Sequence, residues 1–249
     1  MISLKSKREI ELMRDAGRIV AEVLAELRLH CRIGVTTREL DRIAEVKTIK
    51  AGAKPLFKGH KGFPGALCTS VNQQVVHGIP GSYELKEGDI VSMDFGVFYK
   101  GYCGDGAITV PVGVIPIPTA RLLKVTEECL YLGIEQMVAG KHLSDVSRAI
   151  QLHGESHGFS MVRDLGGHGI GRKMHEDPMV LNYVTKGRGV KLKPGLVLAV
   201  EPMVNAGTEE TFTSYDGWTV VTRDKKPSAH FEHTVAVTEN GPDILTKLD

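Results

Sequence analysis

Two stretches of ten residues decide how this chain reads: LKEGDIVSMD, from Leu85 to Asp94, and LKPGLVLAVE, from Leu192 to Glu201. They align without a gap, and both end in a carboxylate. Working outward, HGIP at His77 has a counterpart in HGIG at His168. Each stretch is also preceded by a long helical pattern, a glycine, a short helical pattern and another glycine. Ser6 with Glu9 is a capping-box signature, and Ile10, Met13, Gly17, Val20, Leu24 and Leu27 then recur at helical spacing until Gly34. Thr36 with Glu39 opens a second helix carrying Leu40, Ile43 and Ala44 and ending near Gly52. A third helix is expected from about Thr119 to Ala139, and a fourth from Ser144 to Gly154. The remainder alternates, or carries β-branched runs between Gly and Pro, and reads as strand and hairpin. One matched segment could arise by chance; a matched order of helices, His-Gly-Ile and carboxylate-ending strand points to an ancient duplication. The expectation is one pseudo-symmetric α+β domain over 1–249, with halves of about 1–112 and 113–249 and their strands meeting at the centre.

Composition removes several classes. The 31 Lys+Arg against 30 Asp+Glu leave no bulk positive charge for binding DNA and no acidic tail. The N-terminal MISLKSKREIELM carries no apolar signal core, and the longest apolar run, LVLAV from Leu196, stops at Glu201, so no membrane segment or targeting signal is expected. Cys31, Cys68, Cys103 and Cys129 form no CxxC pair and read as buried, reduced thiols of a cytoplasmic protein.

The chemistry gathers at carboxylates in apolar strands. Past Asp94 the chain runs FGVFYKGYCGD, a hairpin which, if centred between Tyr99 and Lys100, sets Asp94 opposite Asp105. Opposed like charges repel, and Ile90, Val91, Met93 and Phe95 leave no easy route to solvent. The ordinary alternative is one Asp capping a turn; a cation between the two would resolve the conflict. Glu201 closes a run that reads as a strand buried on both faces, and Glu232 interrupts another in HFEHTVAV. For each singly, an Arg or Lys partner would suffice. Four such carboxylates in a duplicated β core favour a shared metal site, with His168, among the glycines of LGGHGIGRKMHEDP, as an imidazole ligand. That oxygen-rich set suits Mn, Fe or Co, with Zn possible, and two ions rather than one. HExxH does not occur, which removes zincins, and the GxSxG match GESHG at Gly154 follows an expected helix rather than the strand that a nucleophile elbow needs.

The ordered set Asp94, Asp105 eleven residues on, His168 in GGHGIG, His175 seven residues after that, Glu201 in VEP and Glu232 in HFEHT resembles that of the type I methionine aminopeptidases, over essentially the whole chain. The resemblance implies the pseudo-twofold "pita-bread" fold, a central antiparallel sheet flanked by helices. It implies that Asp94 holds one metal, His168 and Glu201 the other, and that Asp105 and Glu232 bridge both, with a water between the ions as nucleophile. By the same resemblance Glu201 shuttles the proton, His175 stabilises the oxyanion and His77 donates to the substrate. Phe63, Cys68 and Trp218 would line an apolar pocket for the methionine side chain. A monovalent cation near Asn72, Val75 and Ser228, a monomeric state, nascent polypeptide N-termini as substrates and work near the ribosomal exit tunnel belong to the same implication. Only 31 positions separate Glu201 from Glu232, which leaves no room for a type II insertion, and without a long N-terminal extension the chain reads as bacterial or organellar. Met174, Gly106 and His60 depart from the usual pattern without removing a ligand, and bear on substrate preference and metal affinity. Two rivals stand: an X-Pro peptidase on the same scaffold, which usually carries an N-terminal domain this chain is too short to hold, and a non-catalytic module that binds peptide or ribosome.

Overall fold

The computed structural model describes residues 2–248. Ser6 and Thr36 each accept a hydrogen bond from the amide three residues on, while Glu9 and Glu39 reach back to the cap amides at 2.9 and 2.8 Å. Orphan donors at both helix starts are thus satisfied, and α1 (Lys7–His30) and α2 (Thr37–Lys50) follow. Helix α1 stops at His30, and Gly34 lies in the turn beyond it. The third helix, α3 (Ile117–Ile134), starts two residues before the expected Thr119, with proline in its first turn, where a missing N–H costs nothing. It ends five residues before the expected Ala139. Met137 is fully buried, so apolar spacing continues past the helix, but the backbone there closes tight turns, from Gln136 N–H to the Gly133 carbonyl and from Met137 N–H to that of Ile134. The fourth helix, α4 (Leu143–Ser156), opens one residue before Ser144.

The strands of the first half are β1 (Lys54–Pro55), β2 (Cys68–Val71), β3 (Gln74–Val76), β4 (Ile90–Tyr99) and β5 (Tyr102–Pro111). The second half begins with β6 (Ser160–Met161), β7 (Gly166–Gly169), β8 (Glu176–Leu181), β9 (Val197–Val200) and β10 (Met203–Asn205). It ends with β11 (Thr211–Thr213), β12 (Val220–Thr222), β13 (Ser228–His230), β14 (Glu232–Thr238) and β15 (Gly241–Ile244). A nine-stranded antiparallel sheet runs β1-β4-β5-β14-β9-β7-β8, with β2 on β4 and β15 on β14; two three-stranded sheets, β13-β10-β6 and β11-β12-β3, complete the β structure.

The pseudo-twofold repeat reaches individual hydrogen bonds. Gly34 N–H donates to the Leu85 carbonyl at 2.8 Å, and Gly140 N–H to that of Leu192 at 2.9 Å. Leu85 and Leu192 in turn donate to Val35 and Lys141, and Gly88 and Gly195 share a φ of +92° that favours glycine. Apolar burial is likewise doubled: Val91 and Met93 pack with α1 and α2, while Leu198 and Val200 pack with α3 and α4.

The β4–β5 hairpin corrects one expectation. Lys100 and Gly101, at φ +47° and +88°, form the two-residue turn, so its centre lies one residue later than expected. Asp94 therefore pairs with Ala107, and Asp105 with Gly96. A one-residue shift of the turn moves the pairing by two, so both carboxylates keep the same face but stand diagonally rather than opposite.

Candidate functional site

The sheet order carries the site. Asp94 lies on β4, Asp105 on β5, Glu232 at the start of β14, Glu201 immediately after β9 and His168 on β7. Those strands are consecutive neighbours, so five donors scattered over the sequence project from adjacent positions at the centre of one sheet. Ligand atoms of Asp105, His168 and Glu232 lie within 4.8 Å of one another, and His168 Nε2 is 3.6 Å from Glu201 Oε1. Glycine lets the strands approach. A Cβ at Gly167 would overlap the Ala199 carbonyl, and one at Gly96 would stand 3.0 Å from Asp105 Oδ1. Thr234 ties β14 to β5, its hydroxyl donating to the Asp105 carbonyl at 2.8 Å. His168 Nδ1 donates to the Gly169 carbonyl at 2.9 Å, which leaves the Nε2 lone pair free toward the carboxylates.

This cluster is short of positive charge. Burial, then the neighbouring Asp94 and Glu201, push the Asp105 carboxyl well above its ordinary value; burial and Asp105 do the same to Glu232. Burial raises Asp94 to about 7. Glu201 alone goes down: burial opposes its charge, but His230 and His168 outweigh it. Asp105 Oδ1 is buried with no hydrogen-bond partner. Among the described residues no Lys or Arg pairs with these carboxylates. Acceptors that crowd together, desolvated and unpaired, fit divalent cations with oxygen and imidazole ligands.

Above the carboxylates lies a cavity of about 170 Å³. The ten residues assigned from the sequence to divalent metal, catalysis or the methionine pocket all line it: Phe63, Cys68, His77, Asp94, Asp105, His168, His175, Glu201, Trp218 and Glu232. Phe63 and Trp218 meet edge to face with centroids 5.2 Å apart, and Cys68, opposite Asp94 on β2, is buried beside them. Burial raises the Cys68 thiol far above its ordinary value, so it packs as a small neutral group. His175 stands edge-on to His168 at 4.3 Å, and burial together with that imidazole lowers its pKa to about 4. His77 holds a left-handed φ of +59°, uncommon outside glycine, and burial lowers its pKa too.

His230 was not singled out from the sequence. It is 1 % exposed, its Nε2 lies 3.5 Å from Glu201 Oε2, and neither ring nitrogen has a hydrogen-bond partner. Two-residue alternation from Glu232 was the available signal. At the proposed monovalent-cation position, Ser228 N–H donates to the Asn72 carbonyl at 2.9 Å, which brings two of the three expected residues together.

Comparison with known proteins gives a concordant result. A profile of metallopeptidase family M24 matches residues 11–239. A methionine aminopeptidase of Clostridium perfringens is 56 % identical over 248 residues, covering 100 % of both chains. The crystal structure of a methionine aminopeptidase from Thermotoga maritima superposes with a TM-score of 0.98 at 46 % identity over 100 % of both chains. A prolidase from Pyrococcus furiosus shares the fold, with a TM-score of 0.79 at 23 % identity, over 99 % of this chain and 66 % of its own.

Proposed function

The chain belongs to metallopeptidase family M24 and, within it, to the methionine aminopeptidases, and from that premise we propose that it removes the N-terminal methionine of nascent proteins and peptides, preferring a small second residue. The observation that carries this reading is the meeting, in one cavity, of a cation-starved carboxylate cluster with the apolar side chains of Phe63, Cys68 and Trp218. Asp94 would hold one divalent ion, His168 and Glu201 a second, and Asp105 and Glu232 would bridge them. Bound there, the ions supply Lewis acidity, which polarises a carbonyl and lowers the pKa of a neighbouring water.

The remaining work falls to side chains of the chain. Phe63, Cys68 and Trp218 take the methionine side chain by apolar burial, and so fix the scissile amide over the carboxylates. His175, uncharged at neutral pH, donates one N–H to the developing oxyanion. His77 donates to the substrate beside the scissile amide. Glu201, kept ionised by His230 and His168, accepts a proton and returns it to the leaving amine. The described residues contain no helix long and apolar enough to cross a membrane. A cytoplasmic monomer acting at the ribosome completes the proposal. The exposed run Lys186, Arg188, Lys191 and Lys193 supports contact with ribosomal RNA, and Asn72, Val75 and Ser228 a structural monovalent cation.

The test is turnover of Met-Ala-Ser against Gly-Pro and X-Pro peptides after reconstitution with single metals. Methionine release that is lost on chelation, and reduced about 10²–10⁴-fold in Glu201→Ala, is expected. Faster X-Pro cleavage, or a protein that takes up no divalent metal on reconstitution and releases no methionine, would overturn the reading.

A further inference from the structure

At the mouth of the cavity the segment Gly59–Phe63 is closed on itself. Gly59 N–H donates to the Phe63 carbonyl at 2.8 Å, Phe63 N–H to that of His60 at 2.9 Å, and His60 N–H to that of Phe57 at 2.9 Å. Lys61 is held there at φ +47°, a left-handed conformation that a non-glycine residue adopts at a cost and that clusters at functional sites. Phe63 below is buried, whereas His60 and Lys61 are exposed and line the cavity. His60 stands 6.0 Å from the His175 ring, placing the loop beside the imidazole proposed to face the scissile carbonyl.

The charge of Lys61 is unspent. Neighbouring Lys58 is neutralised by Glu45 at 2.6 Å, and Glu176, next to His175 in the chain, is taken by Lys5 at 2.7 Å. Lys61 has no ion-pair partner among the described residues. A fixed backbone therefore presents one free ammonium group at the rim of the cavity.

Resting on the activity proposed above, we infer that Lys61 is a specificity residue that binds a carboxylate on the second residue after the scissile bond, supplied by an acidic side chain at the third position or by the free C-terminus of a tripeptide. The strained turn exists to aim the ammonium group along the departing chain.

The test compares kcat/KM for Met-Ala-Asp-Gly, Met-Ala-Asn-Gly and Met-Ala-Lys-Gly amides with metal-loaded enzyme, and for Met-Ala-Gly as free acid and as amide. At low ionic strength each step from acidic to neutral to basic should cost about two- to fivefold, the scale of an exposed ion pair, and the ordering should shrink in salt. The free-acid pair tells a terminal carboxylate from a side chain; a preference in either arm supports the inference. Lys61→Gln should collapse the ratios to about one, Lys61→Glu should invert them and Lys61→Arg should keep them, with unchanged melting curves showing that each variant folds. No charge ordering in the parent enzyme, or an ordering that survives Lys61→Gln, overturns the inference. Absence of methionine release from the neutral Asn peptide would instead overturn the activity itself.

Discussion

Asp105 shows what a single residue costs and does in this fold. Its Oδ1 is buried without a hydrogen bond, and burial with the nearby Asp94 and Glu201 disfavours its charged form, a cost to the fold that a cation would remove. Asp105→Asn should therefore raise the melting temperature of chelator-treated protein by about 2–4 °C, the shift that about 1 kcal/mol produces in a chain of this length, while lowering that of the metal-loaded protein. Calorimetry with and without Mn checks both signs; a variant less stable in both states would refute the account. Asp94 adds a pH dependence. Its folded pKa lies near 7 against an ordinary 3.8, so its contribution to metal-free stability is complete below about 3.8 and is lost as pH rises to about 7. Melting of metal-free protein should fall across that window more steeply than melting of Asp94→Asn, and parallel curves would contradict it. Asp94, Asp105, Glu201 and Glu232 were legible because carboxylates in apolar strands are anomalies that sequence displays. His230 escaped because histidine beside a motif is unremarkable until its buried nitrogens are seen to face Glu201.

At the scale of elements, capping chemistry was legible and chain packing was not. Ser6–Glu9 and Thr36–Glu39 announce α1 and α2 because both partners of each box sit three residues apart. The end of α3 was misplaced because Met137 satisfies helical spacing by burial alone, and the hairpin centre because turn geometry depends on the φ values of Lys100 and Gly101. Gly17 reads from the sequence as one more small residue on an apolar face. In the fold it is where α1 meets the C-terminal segment: a Cβ there would overlap the Leu245 carbonyl, a backbone atom that cannot swing aside. Gly17→Ala should destabilise the protein by about 1–3 kcal/mol despite alanine's better helix propensity, measured by urea unfolding. A neutral or stabilising effect would mean that α1 shifts freely on the sheet.

For the molecule as a whole, duplication was legible in two aligned decapeptides, and the junction of the copies was not, since no local pattern says that β5 pairs with β14. That pairing joins first-half strands to second-half strands, and the carboxylates straddle it. Residues 1–112 made alone should therefore show no cooperative unfolding, and neither should 113–249, whereas the two mixed should recover it on addition of metal; a folded isolated half would argue for separable units. The order of the donors along the chain has a further consequence. Synthesis delivers Asp94 and Asp105 first, His168 and Glu201 later, and Glu232 last, within the closing strands of the sheet. If these five residues are the metal ligands, as proposed, a polypeptide still growing on the ribosome would hold an incomplete set until Glu232 has emerged. On the proposed ligand set, emergence of Glu232 would therefore act as the safety catch that holds back activity during synthesis.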